Sequence, residues 1–117
     1  MPTAHDTPQL TVYRSGKAKL NDQARRALLG KTAVVLSAPS SIGCRWLMLP
    51  VEWTGDGAQV LYEDRGQKRF SAYGLATALF ALLPESQNNI RLELLPAPVG
   101  FWLAPLAEVP HNTVTEA

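Results

Sequence analysis

Short segments of alternating apolar and polar residues make up most of this chain. Ile90, Leu92 and Leu94 alternate with Arg91 and Glu93, the pattern of a strand with one buried face. Turn residues separate this segment from others that are rich in β-branched or aromatic residues. The pattern predicts eight strands, over residues 9–13, 17–20, 32–37, 43–49, 59–62, 68–70, 90–95 and 101–104.

Two runs have helical spacing instead, and they predict short helices over 22–29 and 72–83. Asn21 suits the N-cap of the first helix, and Gly30 suits the left-handed position at its end. Ser71 is the expected N-cap of the second helix. That second helix carries no charge, so we expect it to be enclosed by the fold or covered by another chain.

The order of the elements is repeated. Each half contains a tyrosine, a basic turn, a helix, an Ala-Pro turn, a glycine, and a tryptophan followed by a proline. The matching positions are Tyr13, Ala38-Pro39, Gly43, Trp46 and Pro50 in the first half, and Tyr62, Ala97-Pro98, Gly100, Trp102 and Pro105 in the second. The sequence thus predicts two repeats, 9–54 and 58–109.

A unit of this size buries little surface alone, so we expect one domain over 9–109, with flexible tails at 1–8 and 110–117. Each repeat reads as two strands, a helix and two strands. The predicted fold is mainly β with two short helices: a pseudo-twofold swapped-hairpin β-barrel in which two ββαββ repeats interleave their hairpins. Trp46 and Trp102 are expected in its core and Trp53 on its surface.

Charge distinguishes the two halves. The formal net charge of +1 hides seven basic and three acidic residues up to Thr54, then four basic and seven acidic residues after it. The first half therefore carries +4 and the second −3. A polyanion is expected to meet the first repeat.

The first repeat resembles the AbrB, MazE and MraZ group of swapped-hairpin DNA-binding domains. The resemblance covers 12–50: a strand, a turn with Gly16-Lys17, and the segment Gln23-Ala24-Arg25-Arg26-Ala27-Leu28 before Gly30. Asn21 stands where the family has a characteristic proline, and the second repeat lacks the basic positions. One chain with two copies is similar to the MraZ arrangement.

The resemblance implies DNA contacts from Lys17, Arg25 and Arg26. Arg14 and Lys19 are added as neighbours, because the turn and the helix start are expected to lie together and form one positive surface. A solvated helix face explains the same arginines without any ligand. We expect one such patch to bind weakly, so strong binding to double-stranded DNA would require a homodimer with two patches.

Other functions find little support in the sequence. The only histidines, His5 and His111, lie in the predicted tails, and Ser40 and Ser41 have no evident partner base. Cys44 is the only cysteine, which excludes an intrachain disulfide and a zinc site of several cysteines. We therefore expect no enzyme activity, cofactor or metal. With no export leader or membrane-spanning segment evident, the expected location is the cytoplasm.

Two hypotheses follow. The first is a transcriptional regulator that binds DNA through Arg14, Lys17, Lys19, Arg25 and Arg26. The second is a protein interaction or oligomerisation domain that keeps the AbrB-like fold without binding DNA. The uncharged second helix favours the latter.

Overall fold

The computed structural model describes residues 7–39, 45–53, 58–81 and 83–105. Within these residues the chain forms nine strands and two helices, and the strands build one nearly closed antiparallel barrel. The predicted mainly β class with two short helices is confirmed. The elements are β1 Gln9–Tyr13, β2 Lys17–Leu20, α1 Asp22–Ala27, β3 Ala33–Ser37, β4 Trp46–Val51, β5 Gln59–Val60, β6 Tyr62–Asp64, β7 Gln67–Ser71, α2 Tyr73–Phe80, β8 Asn89–Pro96 and β9 Phe101–Pro105.

Neighbouring strands in the barrel come from both halves of the chain. The order across the sheet is β5, β3, β4, β9, β8, β1, β2, β7 and β6. In the described part of the chain no ladder joins the β1–β2 hairpin to the β3–β4 hairpin. Instead β1 pairs with β8, and β2 pairs with β7.

The core is filled from both halves as well. Leu10, Met48, Phe70, Leu75 and Leu92 are all essentially inaccessible to solvent. They belong to one cluster of buried apolar residues that occupies the barrel interior. Burying these side chains is the main favourable contribution to folding, at about 1.5–3 kcal/mol for each large one.

Both helices are shorter than predicted. Helix α1 ends at Ala27, because Leu29 and Gly30 both adopt left-handed backbone, with φ of 55° and 80°. Helix α2 runs from Tyr73 to Phe80. Its N-cap is Ala72, without a capping side chain, so the prediction that Ser71 caps this helix is wrong.

Ser71 instead belongs to β7, where it pairs with Lys17. Strands β6 and β7 also extend further toward each other than predicted, and they close on a two-residue turn. Arg65 and Gly66 form that turn with φ of 55° and 79°, the combination of a type I′ hairpin.

The three tryptophans separate differently from the prediction. Trp46 packs against the core, as expected, and Trp53 is 54% exposed, as expected. Trp102 lies on the outer face and is 36% exposed, so its predicted core position is wrong.

Some of the residues named in the sequence analysis lie outside the described part of the chain. They include most of both predicted tails and His5, Ser40, Ser41, Cys44 and His111.

Candidate nucleic-acid interface

Lys17 and Lys19 lie on the outer face of the barrel. Strand β2 has the sequence Lys-Ala-Lys-Leu, so its two apolar side chains, Ala18 and Leu20, enter the core and its lysines point outward. Neither lysine side chain forms an ion pair or hydrogen bond with the residues that the structure describes. Both ammonium groups are therefore available to an anionic ligand.

Arg14 is engaged within the protein. Its Nε donates to the carbonyl oxygen of Gln87 at 2.9 Å, and a terminal nitrogen donates to that of Pro84 at 2.6 Å. The guanidinium carbon also lies 4.6 Å from the centroid of the Phe80 ring. These contacts attach the first turn to the end of α2, and they leave little of the guanidinium free to bind a phosphate.

The turn at 14–16 packs against the start of α2, in the other half of the chain. The carbonyl of Gly16 accepts a hydrogen bond from the Ala72 amide at 2.7 Å, and the Tyr73 ring lies directly over Gly16. Helix α1 follows the opposite end of β2, and four strand residues span about 13 Å. The expectation that this turn and the start of α1 lie together is therefore wrong.

Arg25 and Arg26 lie on the outer side of α1, as predicted. Ala24 is buried beneath them, and the Asn21 side chain caps the helix by accepting from the Ala24 amide at 2.8 Å. Arg25 lies 3.7 Å from Asp22 in a solvent-exposed pair, which holds it only weakly. Arg26 is exposed, and its side chain has no partner among the described residues.

The strand registers place two further arginines in the same row as Lys19, and neither is among the site residues predicted from the sequence. Thr11 pairs with Lys19 on one side and with Arg91 on the other, while Arg69 pairs with Lys19 from β7. Each of the four residues is adjacent in its strand to at least one buried residue, so the four side chains share the outer face. Alternation in 90–94 indicates that Arg91 faces outward, but only the register reveals its neighbours.

Arg69 differs from the other cations in this row because acidic and amide groups already surround it. Its Nε lies 3.5 Å from Oδ2 of Asp64, without the geometry of a hydrogen bond, and a terminal nitrogen donates to Gln67 at 3.2 Å. Most of the side chain is buried. In contrast, Arg91 is exposed, and its side chain has no partner among the described residues.

Three further features bear on the function of this basic surface: metal binding, membrane spans and similarity to known proteins. No three histidine, cysteine, aspartate or glutamate side chains among them come together to hold a metal ion. Within the same residues, neither helix has the length and apolar character needed to cross a membrane. Comparison with models of protein families, with curated proteins and with solved structures gave no match to this chain.

Proposed function

We propose that this protein binds double-stranded DNA and acts as a transcriptional regulator, using the basic outer surface of the first repeat. The observation that carries the proposal is the unpartnered, outward-facing pair Lys17 and Lys19 on β2, together with Arg25 and Arg26 on the helix that follows. Such side chains bind phosphates by releasing counterions, so the affinity depends on salt.

The proposal also includes an AbrB-like, internally duplicated fold, which the symmetry of the strand pairings supports. Exchanging the two repeats converts the β1–β8 ladder into the β5–β3 ladder. The β2–β7 and β4–β9 ladders are each converted into themselves. Hairpins from one half of the chain therefore pair with hairpins from the other, as the proposed swapped-hairpin barrel requires.

The registers support the same symmetry at the level of single residues. Leu10 pairs with Leu92, and the corresponding positions, Gln59 and Val34, also pair. The same shifts superimpose several pairs of buried residues: Val12 with Leu61, Ala18 with Phe70, Val34 with Leu92 and Met48 with Leu103. Buried Leu10 and Ala33, in contrast, correspond to exposed Gln59 and Arg91.

The test is a comparison of two double variants, Lys17→Gln/Lys19→Gln and Arg25→Ala/Arg26→Ala, with the parent in binding to mixed-sequence duplex DNA. The slope of log affinity against log salt is negative, and each phosphate contact that is lost lowers its magnitude by about 0.9. We therefore expect the magnitude of the slope to fall by about 1–2 for each double variant. Arg65→Gln is the matched control, because Arg65 is exposed and lies at the second hairpin turn.

Failure of the parent protein to bind duplex DNA at about 50 mM salt would remove the proposal. Unchanged slopes for both double variants would also remove it, because the affinity would then arise elsewhere on the molecule.

A second candidate function is self-association through the outer face of β4, β9 and β8. Leu47, Trp102 and Leu95 pair across three neighbouring strands and form an outer row without charge. An apolar sheet face of this kind suits a second copy of the chain. Sedimentation velocity, combined with the DNA-binding test, separates the two functions. The second function is favoured if the parent self-associates without binding DNA and the Trp102→Thr variant is monomeric.

A further inference from the structure

The outer surface of four neighbouring strands, β8, β1, β2 and β7, presents hydrogen-bond donors over two rows of residues. We call this surface the donor face. Its first row is Arg91, Thr11, Lys19 and Arg69, and its second row is Asn89, Tyr13, Lys17 and Ser71. None of the eight side chains is a carboxylate. Carboxylates lie at its borders. Glu93 is two residues after Arg91 on β8, and Asp64 forms an ion pair with Arg69.

The dimensions of the donor face suit a chain of phosphates rather than one small anion. Strands lie about 4.8 Å apart, so the row from Arg91 to Arg69 spans about 14 Å, and the two rows are about 6.7 Å apart. The face is the open outside of a sheet, whereas small ligands bind in enclosed, concave sites. Its one aromatic ring, Tyr13, does not provide the stacking platform that single strands require.

The β8–β1 part of the donor face has no chemical counterpart on the other side of the barrel, whereas the β2–β7 part is converted into itself by the exchange of repeats. Under the exchange of repeats, Thr11 and Arg91 correspond to Val60 and Ala33, which also pair with each other. The equivalent position on the other side therefore lacks both the hydroxyl and the cation. Pseudo-symmetry alone does not account for Arg91, since the fold accepts alanine at the matching position.

We infer that Arg91, Thr11 and Lys19 contact the phosphates of duplex DNA as one row, so that the second repeat contributes a cation to the interface. This inference rests on the proposed function. It makes the second repeat part of the DNA-binding surface, in addition to its role in the fold. The hydroxyl of Thr11 lies between the two free cations and supplies the neutral donor that commonly accompanies them at phosphates.

The test measures duplex affinity for Arg91→Gln at several salt concentrations, with Arg65→Gln as the matched control. Both arginines belong to the second repeat, are exposed and have no side-chain partner among the described residues. We expect Arg91→Gln to lower the magnitude of this slope by about 0.9, which corresponds to about a tenfold loss of affinity at about 50 mM salt. Arg65→Gln is expected to leave both quantities within about twofold of the parent.

The outcomes separate this inference from the function on which it rests. If Lys17→Gln/Lys19→Gln weakens binding while Arg91→Gln equals Arg65→Gln, the composite row is overturned and the DNA-binding function stands. If the parent binds no duplex at about 50 mM salt, both are overturned. Binding to a single strand but not to its duplex would overturn the assignment of duplex DNA. An unchanged unfolding temperature for Arg91→Gln excludes loss of fold as the cause.

Discussion

Gly100 and Gly30 have almost the same left-handed backbone, with φ of 78° and 80°, but different surroundings. A Cβ atom at Gly100 would lie 2.5 Å from the backbone oxygen of Met48 in β4, whereas one at Gly30 would meet nothing within 4 Å. The first glycine is therefore required by both conformation and packing. The second is required by conformation alone.

This difference predicts unequal costs for the same substitution. Gly30→Ala is expected to lower the free energy of unfolding by about 1–2 kcal/mol, which is the cost of left-handed backbone for an L-residue. Gly100→Ala should cost about 2 kcal/mol more, because β4 and β9 must separate to admit the methyl group. Urea denaturation of both variants measures the difference, and equal costs would contradict the close approach of Gly100 to β4.

Among the charged residues, Arg14 differs from the lysines of β2 because its side chain is held by contacts within the protein. Because Arg14 is held by Phe80 and by two carbonyl groups, Arg14→Gln is expected to lower stability by about 1–2 kcal/mol. Its effect on the salt slope of DNA binding should be below that of Lys17→Gln. Thermal unfolding measures the stability, and binding titrations at several salt concentrations measure the slope. If Arg14→Gln reduces the magnitude of the slope as much as Lys17→Gln does, with unchanged stability, Arg14 is a phosphate contact instead.

At the scale of single elements, Asn21 connects α1 to the first strand. Its Oδ1 accepts from the amides of Ala24 and Gln9, at 2.8 and 3.0 Å, and its Nδ2 donates to the Thr7 carbonyl at 2.9 Å. Its own amide donates to the Gln9 carbonyl. A proline, which the resembled family has at this position, would lose that amide donor and the cap. These hydrogen bonds therefore favour asparagine over proline at this position.

The cap provides a prediction at this scale. Asn21→Ala is expected to lower the free energy of unfolding by about 1–2 kcal/mol, because two amides lose their acceptor and Thr7 loses a donor. Asn21→Asp is the matched control. It retains the cap and should cost less than half as much. Chemical denaturation followed by circular dichroism measures both, and equal losses would show that the cap contributes little.

The sequence predicted these elements well where local signals determine them. Strands β1 and β2 have the predicted bounds, because alternation and a glycine turn delimit both. The run at 59–64 was harder, since it changes partner at Leu61: β5 pairs with β3, whereas β6 pairs with β7. That change is set by closure of the barrel, a property that no local pattern contains.

Long-range register explains the other errors. Aligning Trp46 with Trp102 by residue type predicts both in the core, but the β4–β9 ladder pairs Trp46 with Leu103, which is the buried residue. A shift of one residue moves a strand side chain to the opposite face, so Trp102, which pairs with Leu47, lies outside. Arg91 was missed as a candidate site residue for the same reason. Its neighbours Thr11 and Lys19 are about seventy to eighty residues earlier in the chain.

Across the whole molecule, neither half of the chain contains all the partners that its strands need. Four ladders join strands of the first half to strands of the second: β1 with β8, β2 with β7, β3 with β5, and β4 with β9. Separating the halves would expose backbone donors and acceptors along these strands, together with the apolar face of each. The free-energy cost of this exposure exceeds the stabilisation that a unit of about fifty residues gains from its own small core.

The last prediction concerns two fragments, residues 1–55 and 56–117. Each is expected to be unfolded, or to associate with itself, when purified alone. Mixing them should restore the parent's circular dichroism spectrum and one cooperative transition, because the interleaved ladders form only when both are present. An equimolar complex in size-exclusion chromatography checks this, with two copies of the same fragment as the control. Cooperative unfolding of either fragment as a monomer would contradict the interleaved arrangement, and with it the composition of the donor face from both repeats.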